Sequence, residues 1–253
     1  MGFGAITQYV DVAQLVLYAF WAFFFGLIYY LVREGHREGY PMETDGHSRG
    51  VITGWPVPEP KTYRLAHGGE VSVPNDRRSP QTLNAEPTHG WIGAPLVPTG
   101  NPLTAGVGPG AWADRADEPD LDEHGHAKIV PLRAAADFSV AGPDIDPRGL
   151  PVIGANGEEA GRVTDLWVDR MEVMFRYLEV KLPGVERTVL VPVNFTRIGR
   201  DAVRVKAILS SQFAGVPPTR HPEQITLLEE EKITAYFGAG TLYAEPGRAE
   251  ALL

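Results

Sequence analysis

VAQLVLYAFWAFFFGLIYYLV, residues 12–32, carries no charge and only one strongly polar side chain, Gln14. At about 1.5 Å of rise per residue, a helix of this length spans roughly 30 Å, the thickness of a bilayer's hydrocarbon core. A helix satisfies its own backbone polar groups there, so the run predicts one transmembrane α-helix. A cleavable signal peptide instead needs a basic start, a shorter apolar stretch and a small-residue cleavage site. No Lys or Arg precedes Arg33, and the run closes on Tyr29 and Tyr30. A helix buried in a soluble domain keeps a polar face, which this one lacks.

The flanks orient the span. Arg33 and Arg37 follow it, whereas only Asp11 precedes it. By the positive-inside tendency the large part beyond the span is cytoplasmic. Ala19, Ala22 and Gly26 form a strip of small residues on one helix face, the pattern that lets a second helix approach closely in lipid. An isolated anchor with incidental small residues is the simpler alternative. Trp21 falls near mid-membrane, where its indole N–H is better served by a protein neighbour than by lipid, and Tyr29 and Tyr30 occupy an interfacial belt.

The chain has 253 residues and a net charge of −9, and every Lys and Arg lies beyond the span. The part outside the membrane is therefore acidic, which argues against a nucleic-acid partner. With no Cys, disulfides, thiolate ligands and Cys nucleophiles are excluded.

Beyond Arg33 two stretches differ in character. From Tyr40 to about Gly110, Pro41, Pro56, Pro58, Pro60, Pro74, Pro80, Pro87, Pro95, Pro98, Pro102 and Pro109 interrupt every candidate helix. One short hairpin is expected, Thr62 to Leu65 with Val71 to Val73 around His67, Gly68 and Gly69. Trp55, Trp91, Ile92 and Leu96 argue against plain disorder and for an extended segment ordered against a partner. From about Lys128 to Ala207 short alternating runs predict an antiparallel barrel. Leu166 and Val168 share one face of a strand whose other face holds Asp165, Trp167 and Asp169. Leu178, Val180 and Leu182 alternate with Glu179 and Lys181, and Thr188 to Val193 and Val203 to Val205 add further strands. Gly154 to Gly157 reads as a hairpin turn. Glu229 to Lys232 opens a C-terminal helix, with acids in its first turn.

No Walker-type glycine loop, G-x-S-x-G elbow or H-E-x-x-H occurs. The densest titratable cluster is Asp114, Asp117, Glu118, Asp120, Asp122, Glu123, His124 and His126. Imidazole and carboxylate so close together suit proton handling or a divalent metal such as Zn, and a solvated loop without a role is the plain alternative. A second set, Asp169, Glu172 and Arg176, is either a polar hairpin edge or, if buried, a relay.

The chain resembles the H subunit of purple-bacterial photosynthetic reaction centres. The resemblance is carried by Asp11 to Leu15 with the span, Arg37 to Pro41, Pro98 to Pro102, Val107 to Pro109, Lys128 to Leu132, Asp165 to Arg170, Arg176 to Val180 and Leu227 to Ala244, in family order. It implies one N-terminal transmembrane α-helix plus a mainly β cytoplasmic domain, a PRC-type antiparallel β-barrel, with a short C-terminal helix. Residues 1–11 would be periplasmic, 12–32 the span, 33–110 a Pro/Gly-rich segment draped on partners and 111–253 the barrel domain, in the inner (intracytoplasmic) membrane. The implied role is non-catalytic: a cap on the L and M subunits that stabilises the quinone region and conducts protons to the secondary quinone. Bacteriochlorophyll, bacteriopheophytin, quinones and non-haem iron would reside on L and M, with none held by this chain. A cytochrome subunit, light-harvesting antenna and membrane lipids are further partners it leaves open.

By the same resemblance Asp122, His124 and His126 match the proton-entry cluster, Asp169 and Glu172 the acids nearer the quinone, and Arg176 their basic neighbour. Ala19, Trp21, Ala22, Gly26, Tyr29, Tyr30, Arg33 and Arg37 would pack at the membrane interface. No native metal is expected, although Asp122, His124 and His126 form a pattern able to capture adventitious Zn or Cd. Two other classes fit parts of the chain. A solitary membrane-tethered PRC-barrel adaptor predicts a soluble domain that stands without pigment. A metal-dependent enzyme predicts further ligands around Asp122 to His126.

Overall fold

The computed structural model describes residues 4, 6–7, 11–39, 42–43, 51–52, 56–66, 68–75, 82–91, 93–184 and 186–249. Tyr40, Pro41, Trp55, His67, Pro80 and Ile92, which figure in the sequence reading, lie outside the described residues. The chain divides into two compact units, residues 1–81 with 89–94, and residues 82–88 with 95–253.

The first unit is led by α1, Val12–Gly35. Asp11 caps it, its Oδ1 accepting the Gln14 N–H at 2.7 Å, which satisfies one of the free donors of the first turn. Gln14 in turn donates through Nε2 to the Tyr18 hydroxyl at 2.8 Å, so the one polar side chain of the run is satisfied within its own helix. No residue of α1 is buried, and Phe20 stacks on Phe24 with a 5.8 Å centroid separation. An apolar helix exposed on every side suits a lipid or protein surround, and this one is long and apolar enough to cross a membrane. Two ribbons follow, β1 (Met42–Glu43) with β2 (Val51–Ile52) and β3 (Lys61–Arg64) with β4 (Glu70–Val73), both antiparallel. The second is the expected hairpin; the first was not foreseen, since two-residue strands leave no readable alternation.

The second unit begins with β5 (Ala85–Pro87) and β6 (Leu96–Pro98), another unforeseen antiparallel ribbon. Pro at a strand's edge is tolerated where no ladder N–H is needed, but in a sequence it reads as an interruption. The main sheet contains β7 (Ile129–Pro131), β8 (Pro151–Ile153), β9 (Glu159–Asp169), β10 (Met174–Lys181), β11 (Thr188–Pro192), β12 (Thr196–Ile198) and β13 (Val203–Val205). Its order is β11-β10-β9-β8-β13-β12, with β7 also paired to β9. The sheet curls as a half-barrel and is mainly antiparallel; the pairing of β13 with β8 is parallel.

The β9–β10 register decides which side chains meet. Asp165 lies opposite Glu179, Trp167 opposite Tyr177, and Leu166 opposite Leu178. Phe175 pairs with Val168 and Tyr177 with Trp167, so Arg176 is the extra residue of a bulge, a device that re-aims a side chain at a strand edge. Both faces of β9 are covered over its second half. Asp165, Leu166, Trp167, Val168 and Asp169 are all buried, because other segments cover the polar side as the barrel core covers the apolar one.

One cover is α2, Leu227–Tyr243, whose Thr226 and Glu229 form a reciprocal capping box. A Cβ on Gly238 would stand 2.3 Å from the Pro109 carbonyl oxygen, and one on Gly240 2.6 Å from that of Ala207. The lack of side chains there is what lets backbone approach the helix so closely. Phe213, Phe237, Ile233 and Ile208, fully buried, fill the space beneath it.

Candidate functional site

The loop carrying Asp122, His124 and His126 is a tight hairpin entering β7. The Asp122 N–H donates to the His126 carbonyl at 2.8 Å, and Gly125, at φ +80°, closes the turn. Asp122 folds back on its own loop: Oδ1 accepts the backbone N–H groups of His124 and His126, both at 2.9 Å. Oδ2 lies 3.3 Å from Arg170 Nη2 and 3.6 Å from His126 Nδ1. The His126 amide, the His124 amide and the neighbouring cations hold the Asp122 carboxyl below its ordinary range, outweighing partial burial. Asp122 thus remains a carboxylate that shapes the loop. The imidazoles of His124 and His126 are 71 % and 67 % exposed and 6.4 Å apart between centroids, so they face solvent.

Arg170 joins this loop to the second set. Its guanidinium meets Asp122 and the Ala127 carbonyl, and its N–H donates to the Lys128 carbonyl at 3.0 Å. Lys128 Nζ then stands among three carboxylates, 3.6 Å from Asp120 Oδ2, 3.4 Å from Asp169 Oδ2 and 3.5 Å from Glu172 Oε1. Burial weakens its charge, but Asp169, then Asp120 and Glu172, outweigh that and raise its pKa. Asp169 is completely buried. Its Oδ1 accepts the N–H groups of Met171 and Glu172 at 3.0 Å, which builds the β9–β10 turn, while Oδ2 has no hydrogen-bond partner among the described residues. Glu172 also lies 3.6 Å from Arg176 Nη1. The two sets, 43 residues apart from His126 to Asp169 in the chain, are therefore one continuous charged network that runs from exposed to buried groups.

Asp169 and Arg176 line a cleft of about 710 Å3 together with Lys128, Asp120, Tyr177 and Glu230. The Tyr177 hydroxyl donates to Glu230 Oε2 at 2.9 Å. Burial raises the pKa of both groups; for Glu230 the Tyr177 hydrogen bond and Arg176 oppose it without cancelling it. Sequence reading missed Lys128, Tyr177 and Glu230 as members of the site. Consecutive residues of a regular strand point to opposite faces, and the bulge at Arg176 lets Arg176 and Tyr177 line one cleft.

A separate polar knot lies at the other end of the same strand face. Arg133 Nη1 reaches Glu179 Oε2 at 2.8 Å and Asp165 Oδ2 at 3.1 Å, and Trp167 Nε1 donates to Glu179 Oε2 at 2.9 Å. It satisfies the buried side chains of Asp165, Trp167 and Glu179. Among the described residues no group of three His, Asp or Glu side chains is placed to hold a metal ion. The expected Zn or Cd capture at Asp122, His124 and His126 has no preformed site, since Asp122 Oδ1 is engaged by the loop's own amides and Oδ2 by Arg170.

The interface residues lie in the first unit. Ala19, Trp21, Ala22, Gly26, Tyr29 and Tyr30 are exposed along α1. Arg37 differs from a lipid-facing cation: it pairs bidentately with Glu34, at 2.7 and 3.0 Å, and donates to the Glu59 carbonyl at 2.7 Å. Comparison with known families gives two matches. Residues 4–134, more than half the chain, match the model described as photosynthetic reaction centre, H-chain N-terminal region, and residues 144–212 match the PRC-barrel domain.

Proposed function

Because the chain belongs to the H-chain family of photosynthetic reaction centres, we propose that it caps the L and M subunits on the cytoplasmic side, stabilises the quinone region and conducts protons to the secondary quinone as light reduces it to quinol. In this reading residues 1–11 are periplasmic, 33–110 are laid over the partner subunits and 111–253 form the cytoplasmic cap. The chain supplies no catalytic centre, and the pigments, quinones and iron of the family's complexes are held by its partners.

The observation that carries the reading is the joining of the exposed His124–His126 loop to buried Asp169 and the cleft through Arg170 and Lys128. Imidazoles titrate near neutrality and exchange protons with the cytoplasm, and acids arranged inward from them shorten the route to a water-poor quinone site. Lys128 and Arg176 keep the inner carboxylates from repelling one another, which lets several acids share a small volume. Asp122, held ionised, orders the entry loop.

Glu172→Gln tests the relay because it keeps shape and removes the titratable group. The second flash-driven electron transfer to quinone, which requires proton delivery, slows by at least roughly tenfold. The first transfer and the pigment spectrum stay unchanged. An unaltered second transfer makes Glu172 a structural partner of Lys128 and Arg176.

A further inference from the structure

Two of the chain's four methionines fall in one turn, Met171 and Met174, on either side of Glu172 and Val173. They are 51 % and 47 % exposed, although a thioether is ordinarily a core group. Val173 takes φ +53°, the left-handed region that a β-branched residue seldom enters. It is 72 % exposed, more than any large apolar residue of α1. The β9–β10 turn thus holds both methionine side chains in the open instead of packing them.

These methionines bracket the inner acids. The Met171 N–H donates to Asp169 Oδ1 at 3.0 Å, and Met174 is the ladder partner of Asp169. Met174 also lines the cleft with Lys128, Asp169 and Arg176. Glu172, between them in the chain, is held by Lys128 at 3.5 Å and Arg176 at 3.6 Å. A polar oxygen added to either sulfur therefore arises beside the two cations that the carboxylates use.

We propose that Met171 and Met174 form an oxidation site for hydrogen peroxide, at which conversion to the sulfoxide slows proton passage through Asp169 and Glu172. The coupling, though not the oxidation, rests on the proton-conducting role given above. A sulfur lone pair attacks one peroxide oxygen, the O–O bond breaks, and the proton of the transferred oxygen moves to the departing hydroxide. Sulfur is oxidised by two electrons, the peroxide is reduced, and water leaves. A thioether, unlike a thiol, needs no deprotonation, so exposure decides its reactivity. The sulfoxide oxygen accepts hydrogen bonds and donates none, so it competes with the acids for Lys128 and Arg176. Asp169 and Glu172 lose counter-charge and hold a proton more tightly.

The native complex carrying the full chain is treated with millimolar hydrogen peroxide. Peptide mass spectrometry reads added oxygen at residues 171 and 174, and flashes time both electron transfers to quinone. Both methionines gain oxygen at a rate comparable to methionine in a free peptide. The second transfer slows about twofold to fivefold, the effect of losing one partly exposed ion pair, and the first is unchanged. Methionine sulfoxide reductase with a thiol restores the rate. M171L/M174L, which keeps bulk without sulfur, is indifferent to peroxide. Sulfurs left unmodified in the assembled complex show that a partner covers the turn and overturn the proposal. Equal slowing of M171L/M174L overturns it too, as does oxidation that leaves the second transfer at its native rate while Glu172→Gln slows it. If neither oxidation nor Glu172→Gln changes that transfer, the relay itself fails and the coupling falls with it.

Discussion

Arg133 and Lys128 do related work at opposite ends of one strand face, each holding acids that would otherwise sit together with too little counter-charge. Removing the first leaves Asp165 and Glu179 buried without a cation. Arg133→Met should lower stability by about 2–3 kcal/mol, below the roughly 3–5 of a fully buried pair because the guanidinium is partly solvent-facing. Urea unfolding of the full chain in detergent, followed by Trp fluorescence, measures it, and Trp167 itself reports the knot. Asp122 gives a pH prediction whose sign follows from its depressed pKa. Its stabilisation of the loop is fully present above the unfolded carboxyl value of about 3.9 and disappears as pH falls through the lower folded value. Amide exchange at His124 and His126 should therefore stay protected down to about pH 4 and open below it. In Asp122→Asn the same amides exchange faster at neutral pH. Individual residue types were legible in the sequence, their company was not: Asp169 and Glu172 were identifiable as acids after a strand, whereas Lys128 as their common partner depends on how the 120–128 loop returns beside the β9–β10 turn.

At the scale of elements, the span, the Gly154–Gly157 turn and the C-terminal helix were legible because each rests on a local signal: length without charge, a turn tetrad, acids in a first turn. Sequence put that helix's opening at Glu229; the capping box of Thr226 and Glu229 sets it at Leu227. The short ribbons and the burial of both faces of β9 were not, since they depend on segments far away in the chain. Bulges at Arg176 and Thr164 shift the register, and a period-two pattern contains no sign of them. The close seat of α2 makes a prediction that runs against propensity. Gly238→Ala gains up to about 1 kcal/mol in an isolated helix. Here the added methyl meets the Pro109 carbonyl, so the variant should lose about 1–3 kcal/mol in the same unfolding experiment. Gly247→Ala, where nothing lies within 4 Å, is the matched control and should be near neutral.

For the whole molecule, the family match gives a reaction-centre H subunit anchored by one apolar helix; the two matched regions take in the quoted segments up to Val180 and leave Leu227 to Ala244 outside them. A cap reading has a direct consequence for purification. A tagged copy expressed in its native source should leave the membrane together with near-infrared bacteriochlorophyll absorbance. Recovery as a colourless, self-sufficient species would end that reading and favour a solitary tethered barrel. Deletion of residues 12–32 should abolish recovery of pigment with the tag, whereas Glu172→Gln should not. The pairing of those two outcomes separates anchoring from proton delivery.

The contact of Gly238 with Pro109 has a consequence in time. Residues 108–110 leave the ribosome well before α2 exists, so their resting place is absent while every strand between them is being made. Membrane insertion of α1 is finished early, yet the second unit can lock only at the end of translation. A nascent chain stalled before residue 227 should therefore be inserted but open to protease around residue 109, and resistant there once the helix has emerged.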